Sequence, residues 1–412
     1  MTRPRPFPVR LAIAGVASGL ALSSCGGGGG DQAAEAGDGT LTVLHYYDEG
    51  AGALQDLLPV WEERFESENP DTDVKFEYVP YDQMQQKVIS AAAAGKGWDV
   101  IMPTGVWLPE MIKAGAVQPL DEYRDGYADK DQFPENTQGA GVYDGQQYAV
   151  QAYTNIEGIL YNKTILDEIG VAVPTNLDEM EEAMAAADAA GYNAFSTAAP
   201  PGTGGEFNLV PWLVSAGWTY EDACNPAAGE VLTRLEGWRE AGYFSANDAS
   251  GFNAEKNFTT GQYAFAEGGN WNLGTFETDL EFEWGVAVME GFDGALLGGE
   301  VIAIGEKAGD PELAWKFIEE TFLSVEGGEE AAGAGSVPLR ADVAETAVVT
   351  DDVNLNAYAT IAGNSVGNPA NENTAKISDV VGGAFNEFVA GQLSADEAAG
   401  RICDEVTPLM EE

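Results

Sequence analysis

Few side chains in this sequence are equipped for covalent chemistry. His45 is the single histidine, so no histidine-cluster metal site and no histidine-based triad is expected. Neither a G-x-S-x-G elbow nor a Walker A loop occurs. With 68 acidic residues, carboxylate pairs arise by chance and carry no weight for glycosidase chemistry. The polar residues of 247–257 are too loosely spaced for a calcium loop. No catalytic residue, metal or cofactor is therefore expected. What the chain does offer is noncovalent recognition. Aromatic faces can stack on apolar surfaces, and carboxylates and amides can hydrogen-bond in fixed geometries. Such residues cluster at His45-Tyr46-Tyr47-Asp48-Glu49, at Thr104 to Trp107, at Asn155 with Glu157, at Gly268-Gly269-Asn270-Trp271 and at Gly298-Gly299-Glu300. Phe207 and Trp212, which follow Gly204-Gly205, and the polar stretch 368–373 join them.

The elements that must position these clusters are legible in turn. Residues 41–46 (LTVLHY) read as a strand. Leu54, Leu57, Leu58, Trp61 and Phe65 recur at helical spacing, with Pro59 predicting a kink or a restart. Residues 74–79 alternate as a second strand, 83–94 form a helix stopped by Gly95, and 99–103 form a third strand before a helix through Met111 and Ile112. Strands alternating with helices imply a mostly parallel, helix-covered sheet. Further on, 148–161 is extended, and 286–288 and 301–304 are short strands. Residues 177–190 are a helix capped by Thr175 or Asn176 and stopped by Gly191. Helices are also expected near 227–241, 311–323, 375–391 and 395–410, and Phe207 and Trp212 fall in a loop. The roughly 370 residues after residue 39 exceed one small domain and suggest two lobes.

The first residues speak to location. Arg3, Arg5 and Arg10 precede a short apolar run at 11–22, too short to span a bilayer as a helix. Leu22-Ser23-Ser24-Cys25 resembles the lipobox of bacterial lipoproteins, which implies a removable signal at 1–24 and a lipid on Cys25. The glycine-rich segment 25–39 reads as a flexible tether. No later segment is long and apolar enough to cross a membrane. Loss of the signal would leave 68 acidic against 16 basic residues, a net charge of −52. That excludes nucleic acid as a partner. The acidity fits either a solvated surface or a site for a cationic ligand. Cys224 and Cys403 remain; in an oxidising compartment they are either bridged or two buried thiols.

Five stretches resemble the extracellular solute-binding protein family 1, the maltose-binding-like branch. Residues 65–123 follow the family run of helix, "P…V", helix, "G…DV" and "G…PLD". Leu160-Tyr161-Asn162-Lys163 comes next, then 258–271 (FTTGQYAFAEGGNW), then 298–304 with 312–317, then Val337-Pro338-Leu339-Arg340. The resemblance implies a two-lobed α/β fold of the periplasmic-binding type II class, its discontinuous lobes joined by a hinge. Lobe one would take 40–147 and 297–341, and lobe two 148–296 and 342–412. Ligand would lie in the cleft between them.

The resemblance also implies site residues. Tyr47, Asp48 and Glu49 follow the first strand where the family places ligand contacts. Trp107 follows the third strand, although Val106 departs from the polar character usual there. Asn155 corresponds to a polar contact, with Glu157 on the same strand face. Trp271 corresponds to an aromatic that stacks on sugar rings; the alternative is a core tryptophan. Gly299 and Glu300 form a turn near the ligand, and Phe207 comes from lobe two. The implied function is a lipid-anchored receptor on the extracytoplasmic face of the cell membrane. It would be a monomer that binds a carbohydrate, of oligosaccharide size, and passes it to the transmembrane permease of an ABC importer. A polyamine-like solute in the same cleft is one alternative, and a secreted hydrolase is another.

Overall fold

A computed structural model describes residues 39–47, 54–133, 138–245, 254–369 and 371–411. The expected signal, Cys25 and all of the expected tether except Gly39 lie outside the described residues, as do Asp48 and Glu49.

Two sheets organise the molecule. The first has the order Asp73–Tyr78, Thr40–His45, Val100–Ile101, Ile302–Ile304, Ala149–Val150. The first three strands are parallel, and Ile302–Ile304 runs antiparallel to both its neighbours. Thr40–His45 alternates between two helical layers: Leu41 and Val43 pack with Trp61, Phe65 and Phe317, while Leu44 packs with Met84 and Val88 on the other face. Burial of both faces is what a central parallel strand requires. Leu54–Glu68 supplies Leu54, Leu58, Trp61 and Phe65 to that core, and Pro59 sits on its exposed side without interrupting it. Thr42 is held by Asp99, whose carboxylate accepts from both its backbone N–H at 2.8 Å and its hydroxyl at 2.7 Å.

The second sheet has the order Trp284–Ala287, Glu157–Asn162, Tyr263–Gly269, Asn193–Ser196. Its core gathers Ile159, Phe195, Trp212, Phe265 and Phe385. Asn162 caps the next helix, Lys163–Ile169, by accepting from the Ile165 N–H, and Asn176 does the same for Leu177–Ala190, which Gly191 ends in the left-handed conformation. Thr203–Ser215 is a helix, not the expected loop. It crosses Thr374–Val389 at glycines: a Cβ on Gly382 would lie 1.9 Å from the Gly202 carbonyl, so no larger residue permits this approach. Cys224 and Cys403 form a disulfide, with Cα atoms 4.4 Å apart, tying the start of Ala227–Ala241 to the last helix, Ala395–Glu411.

The lobes exchange chain at three places. Asn155 and Gly298 form an antiparallel bridge, and Gln151 Nε2 and Thr154 Oγ1 both donate to the Gly298 carbonyl, at 2.7 and 3.0 Å. Val337–Pro338 pairs with Tyr153–Thr154. Asn270, fully buried, ties two of these segments: its Oδ1 accepts from the Ile156 N–H at 2.8 Å and its Nδ2 donates to the Gly335 carbonyl at 2.7 Å. Ala149–Val150 pairs with Ile302–Ala303 in the first sheet.

Candidate functional site

The turn Gly298-Gly299-Glu300 lies between two groups of aromatic rings. Gly299 has φ +88°, and a Cβ there would sit 3.1 Å from the Asn155 backbone nitrogen. A Cβ on Gly298 would meet the Phe207 ring at 2.5 Å. Glycine is therefore demanded at both positions, one by backbone conformation and both by close approach. Beyond Gly298, Phe207 and Trp271 lie with ring centroids 5.9 Å apart and planes 36° from parallel. Trp271 lies against the backbone of Gly269, where a Cβ would collide with the indole. Both rings are half-buried, so each keeps a free edge or face. The helix Thr203–Ser215 positions Phe207, and the strand Tyr263–Gly269 ends two residues before Trp271.

On the lobe-one side, Tyr46, Tyr81 and Trp107 form a second group. Tyr46 meets Tyr81 at 5.1 Å, and Tyr81 meets Trp107 at 4.7 Å. Tyr81 is 46% exposed. Glu300 is beneath them, 3% exposed, bridged to Thr104 through its backbone. Burial pushes its carboxyl above the usual glutamate range, and the Tyr46 and Tyr47 hydroxyls facing it draw it part of the way back. Those tyrosines are in turn pushed up, first by burial and then by the charge of Glu300.

Several polar atoms here have no partner. Gln151 Oε1, Asn155 Oδ1, Glu157 Oε2 and Glu300 Oε2 are all buried and unbonded. A buried polar atom left unpaired costs roughly 1–3 kcal/mol. Among the described residues only three other side-chain atoms share this condition, so the unpaired atoms concentrate at the crossing segments between the lobes. Acceptors of this kind, flanked by half-exposed rings, are suited to a solute that brings its own donors and an apolar face.

The expected residues divide. Asn155, Glu157, Phe207, Trp271, Gly299, Glu300 and Trp107 surround this region. Tyr47 does not: it is in the lobe-one core, its hydroxyl 2.6 Å from that of Tyr153, and Tyr46 is the ring beside Tyr81 and Trp107. Val106 is buried, in keeping with its apolar character. Trp212 is buried with its Nε1 2.5 Å from Glu267, and serves the lobe-two core. The polar stretch 368–373 is occupied internally, since Asn371 and Asn373 both donate to the Leu409 carbonyl and Asn368 to Glu206. Tyr81 and Gln151 were not anticipated. Nothing in their local sequence marks them.

Among the described residues no group of three or more histidine, cysteine or acidic side chains is arranged to hold a metal, and no helix is long and apolar enough to cross a membrane.

The family model for bacterial extracellular solute-binding proteins matches residues 61–357, more than two thirds of the chain. The chain belongs to this family. The family is one of solute-binding proteins. A binding protein of Brucella abortus is 28% identical over 174 residues, 42% of this chain and 40% of the relative, so the match spans less than half of that protein. The maltotriose-binding protein of Pyrococcus abyssi is 23% identical over 388 residues, 89% of this chain and 81% of its own. The GacH receptor of Streptomyces glaucescens superposes with a TM-score of 0.77 at 20% identity, over 91% of this chain and 99% of its own. The fold is thus the two-lobed, maltose-binding-protein-like type II periplasmic-binding fold. In this family member the crossing segments, the two ring groups and the unpaired acceptors occupy the junction of the lobes.

Proposed function

We propose that this protein is the substrate-binding lipoprotein of an ABC importer and takes a carbohydrate, of oligosaccharide size, in the cleft between its lobes. The observation that carries the reading is the pairing of half-exposed rings with unpaired acceptors: Trp271 and Phe207 on one side, Tyr46, Tyr81 and Trp107 on the other, and Asn155, Glu157 and Glu300 among them. A sugar ring presents C–H faces to aromatic platforms and hydroxyl donors to carboxylates and amides. Two ring groups on opposite lobes suit a ligand longer than one ring. The Pyrococcus relative, a maltotriose-binding protein, and the GacH receptor, solved in complex with acarbose, support the same class.

Closure of the lobes around the sugar would shield its hydrogen bonds from water and present the closed form to the permease. Cys25, lipidated, would hold the monomer at the extracytoplasmic face of the membrane, and residues 25–39 would give it reach. Calorimetry over mono- and oligosaccharides, with spermidine as the cationic control, tests the ligand class. Heat with spermidine and silence across the sugars would sink the carbohydrate reading. Radiolabelled lipid on the wild-type chain and its loss in Cys25→Ala tests the anchor.

A further inference from the structure

Three carboxylates crowd the backbone beside Trp271. Glu157 pairs across the sheet with Gly269, the residue on which the Trp271 indole rests. Glu267 faces Ile159, two residues along the same pair of strands. Glu255 approaches from the preceding helix, Ala254–Phe258, its Cγ 3.3 Å from where a Cβ on Gly268 would stand. Glu267 is fully engaged: Thr197 Oγ1 and the Ala198 N–H donate to Oε2, and Trp212 Nε1 donates to Oε1. Glu255 accepts from Asn272 Nδ2 at 3.1 Å. Glu157 is 4% exposed, and its Oε2 has no partner.

The electrostatics of this group are one-sided. The charges that act on Glu157 are those of Glu255 and Glu267, and the charge that acts on Glu267 is that of Glu255. Among the described residues no basic side chain contributes at any of the three. Burial pushes all three carboxyls up. Neutral hydroxyls would fill the empty acceptor on Glu157 but leave the accumulated acid uncompensated. A cation would answer both, since a buried charge is tolerated when it is paired and hydrogen-bonded. The Trp271 face next to it attracts cations as well.

Resting on the carbohydrate reading above, we propose that the preferred solute is an amino sugar whose ammonium group is seated at Glu157 beside the Trp271 ring. The rings hold the sugar's apolar face and Glu157 reads the amine, so this residue sets specificity between sugars of the same skeleton. Glu255 and Glu267 act as positioning residues that keep the local potential negative.

The test is calorimetry at pH 6, where the amines are charged, on matched sets: glucosamine, glucose and N-acetylglucosamine, and the disaccharides of each in β-1,4 linkage. The amine-bearing member is expected to bind about tenfold tighter than its neutral partners. Glu157→Gln should erase that preference, and a thermal melt within a few degrees of the wild type would show that the variant folds. Glu255→Gln should reduce the preference partially. Equal or tighter binding of the neutral sugars by the wild type would overturn this proposal and leave the carbohydrate reading standing. Silence from every sugar would overturn both.

Discussion

The Lys113 ammonium lies 2.6 Å from the Glu372 carboxylate, one residue on each lobe. Lys113 ends the helix Leu108–Lys113 of lobe one, and Glu372 lies two residues before Thr374–Val389 of lobe two. Around them Pro109, Ala140 and Tyr143 approach Asn368 and Pro369. Each charged side chain is about half exposed and screened by solvent, so the pair contributes little. Charge reversal in Lys113→Glu should therefore weaken ligand binding only two- to fivefold, and Lys113→Glu with Glu372→Lys should restore it. A restored affinity at low salt that fades at high salt identifies the pair as a closing contact. Equal affinity in all three proteins would mean that the contact does not bias closure.

Trp271 is half-buried and rests on Gly269. Trp271→Ala should lower carbohydrate affinity at least tenfold, while the unfolding midpoint shifts by only a few degrees because little core surface is lost. Titration calorimetry and a thermal melt on the same sample separate the two effects. A large loss of stability with unchanged affinity would reassign Trp271 to the core.

Gly298 allows Phe207 to approach the crossing segment. Gly298→Ala places a methyl 2.5 Å from that ring and 3.1 Å from the Asn155 carbonyl. The ring must move, and with it the contact to Trp271. The expected outcome is a loss of affinity, with a stability cost of about 1–3 kcal/mol typical of overpacking. Denaturant unfolding and ligand titration measure both. Combining Gly298→Ala with Phe207→Ala should relieve the stability cost.

Reducing Cys224–Cys403 opens a 179-residue separation. In the chain-entropy model such a link is worth about 5 kcal/mol. Cys224→Ser with Cys403→Ser should lower lobe-two stability by up to that amount. The reading is a denaturant midpoint with and without reductant; an unchanged midpoint on reduction would show that the link adds nothing.

Glu206 and Glu267 are both buried in lobe two and both pushed up to about 7 by burial, against an ordinary 4.5 in the unfolded chain. The folded state therefore binds more protons than the unfolded state between those values. The burial penalty of the charged forms is full above pH 7, shrinks as pH falls, and is gone below about 4.5. Thermal stability should rise from pH 8 to pH 5, opposite to the usual behaviour of salt-bridged carboxylates. General repulsion among the surface acids acts in the same direction, so the deciding comparison is Glu206→Gln, which should flatten the profile. A variant profile parallel to the wild type would remove Glu206 from the explanation.

How far the sequence could be read depended on how much each feature owed to local order. Helices with one buried stripe and a proper cap were visible. Leu177–Ala190 has Asn176 before it and Gly191 after it, and its bounds match the expectation. Ala227–Ala241 matches its expected bounds too, ended by Gly242 in the left-handed conformation, although no side chain caps its start. Thr203–Ser215 was hidden because it is buried almost all round from Gly205 to Val214, so it carries no polar face to set a 3.6-residue rhythm. Its glycines and Pro211 also read as breakers. The glycine approach of Gly205 and Gly382 that explains them needs the partner helix, more than 170 residues away.

The site followed the same division. By itself the sequence determined that this chain has alternating strands and helices and that Glu300 precedes a short strand, because each depends on near neighbours; the turn expected at Gly268-Gly269 is instead the end of the strand Tyr263–Gly269. It could not choose between Tyr46 and Tyr47. Thr40–His45 is covered on both faces, so alternation carried no inside or outside, and the choice came from Tyr153 meeting the Tyr47 hydroxyl. Nor could it gather Glu157, Glu255 and Glu267 from three separate elements, or bring Lys113 to Glu372. Those relationships are set by strand register and lobe packing, where the interacting partners are distant in the chain and only the folded backbone makes them neighbours.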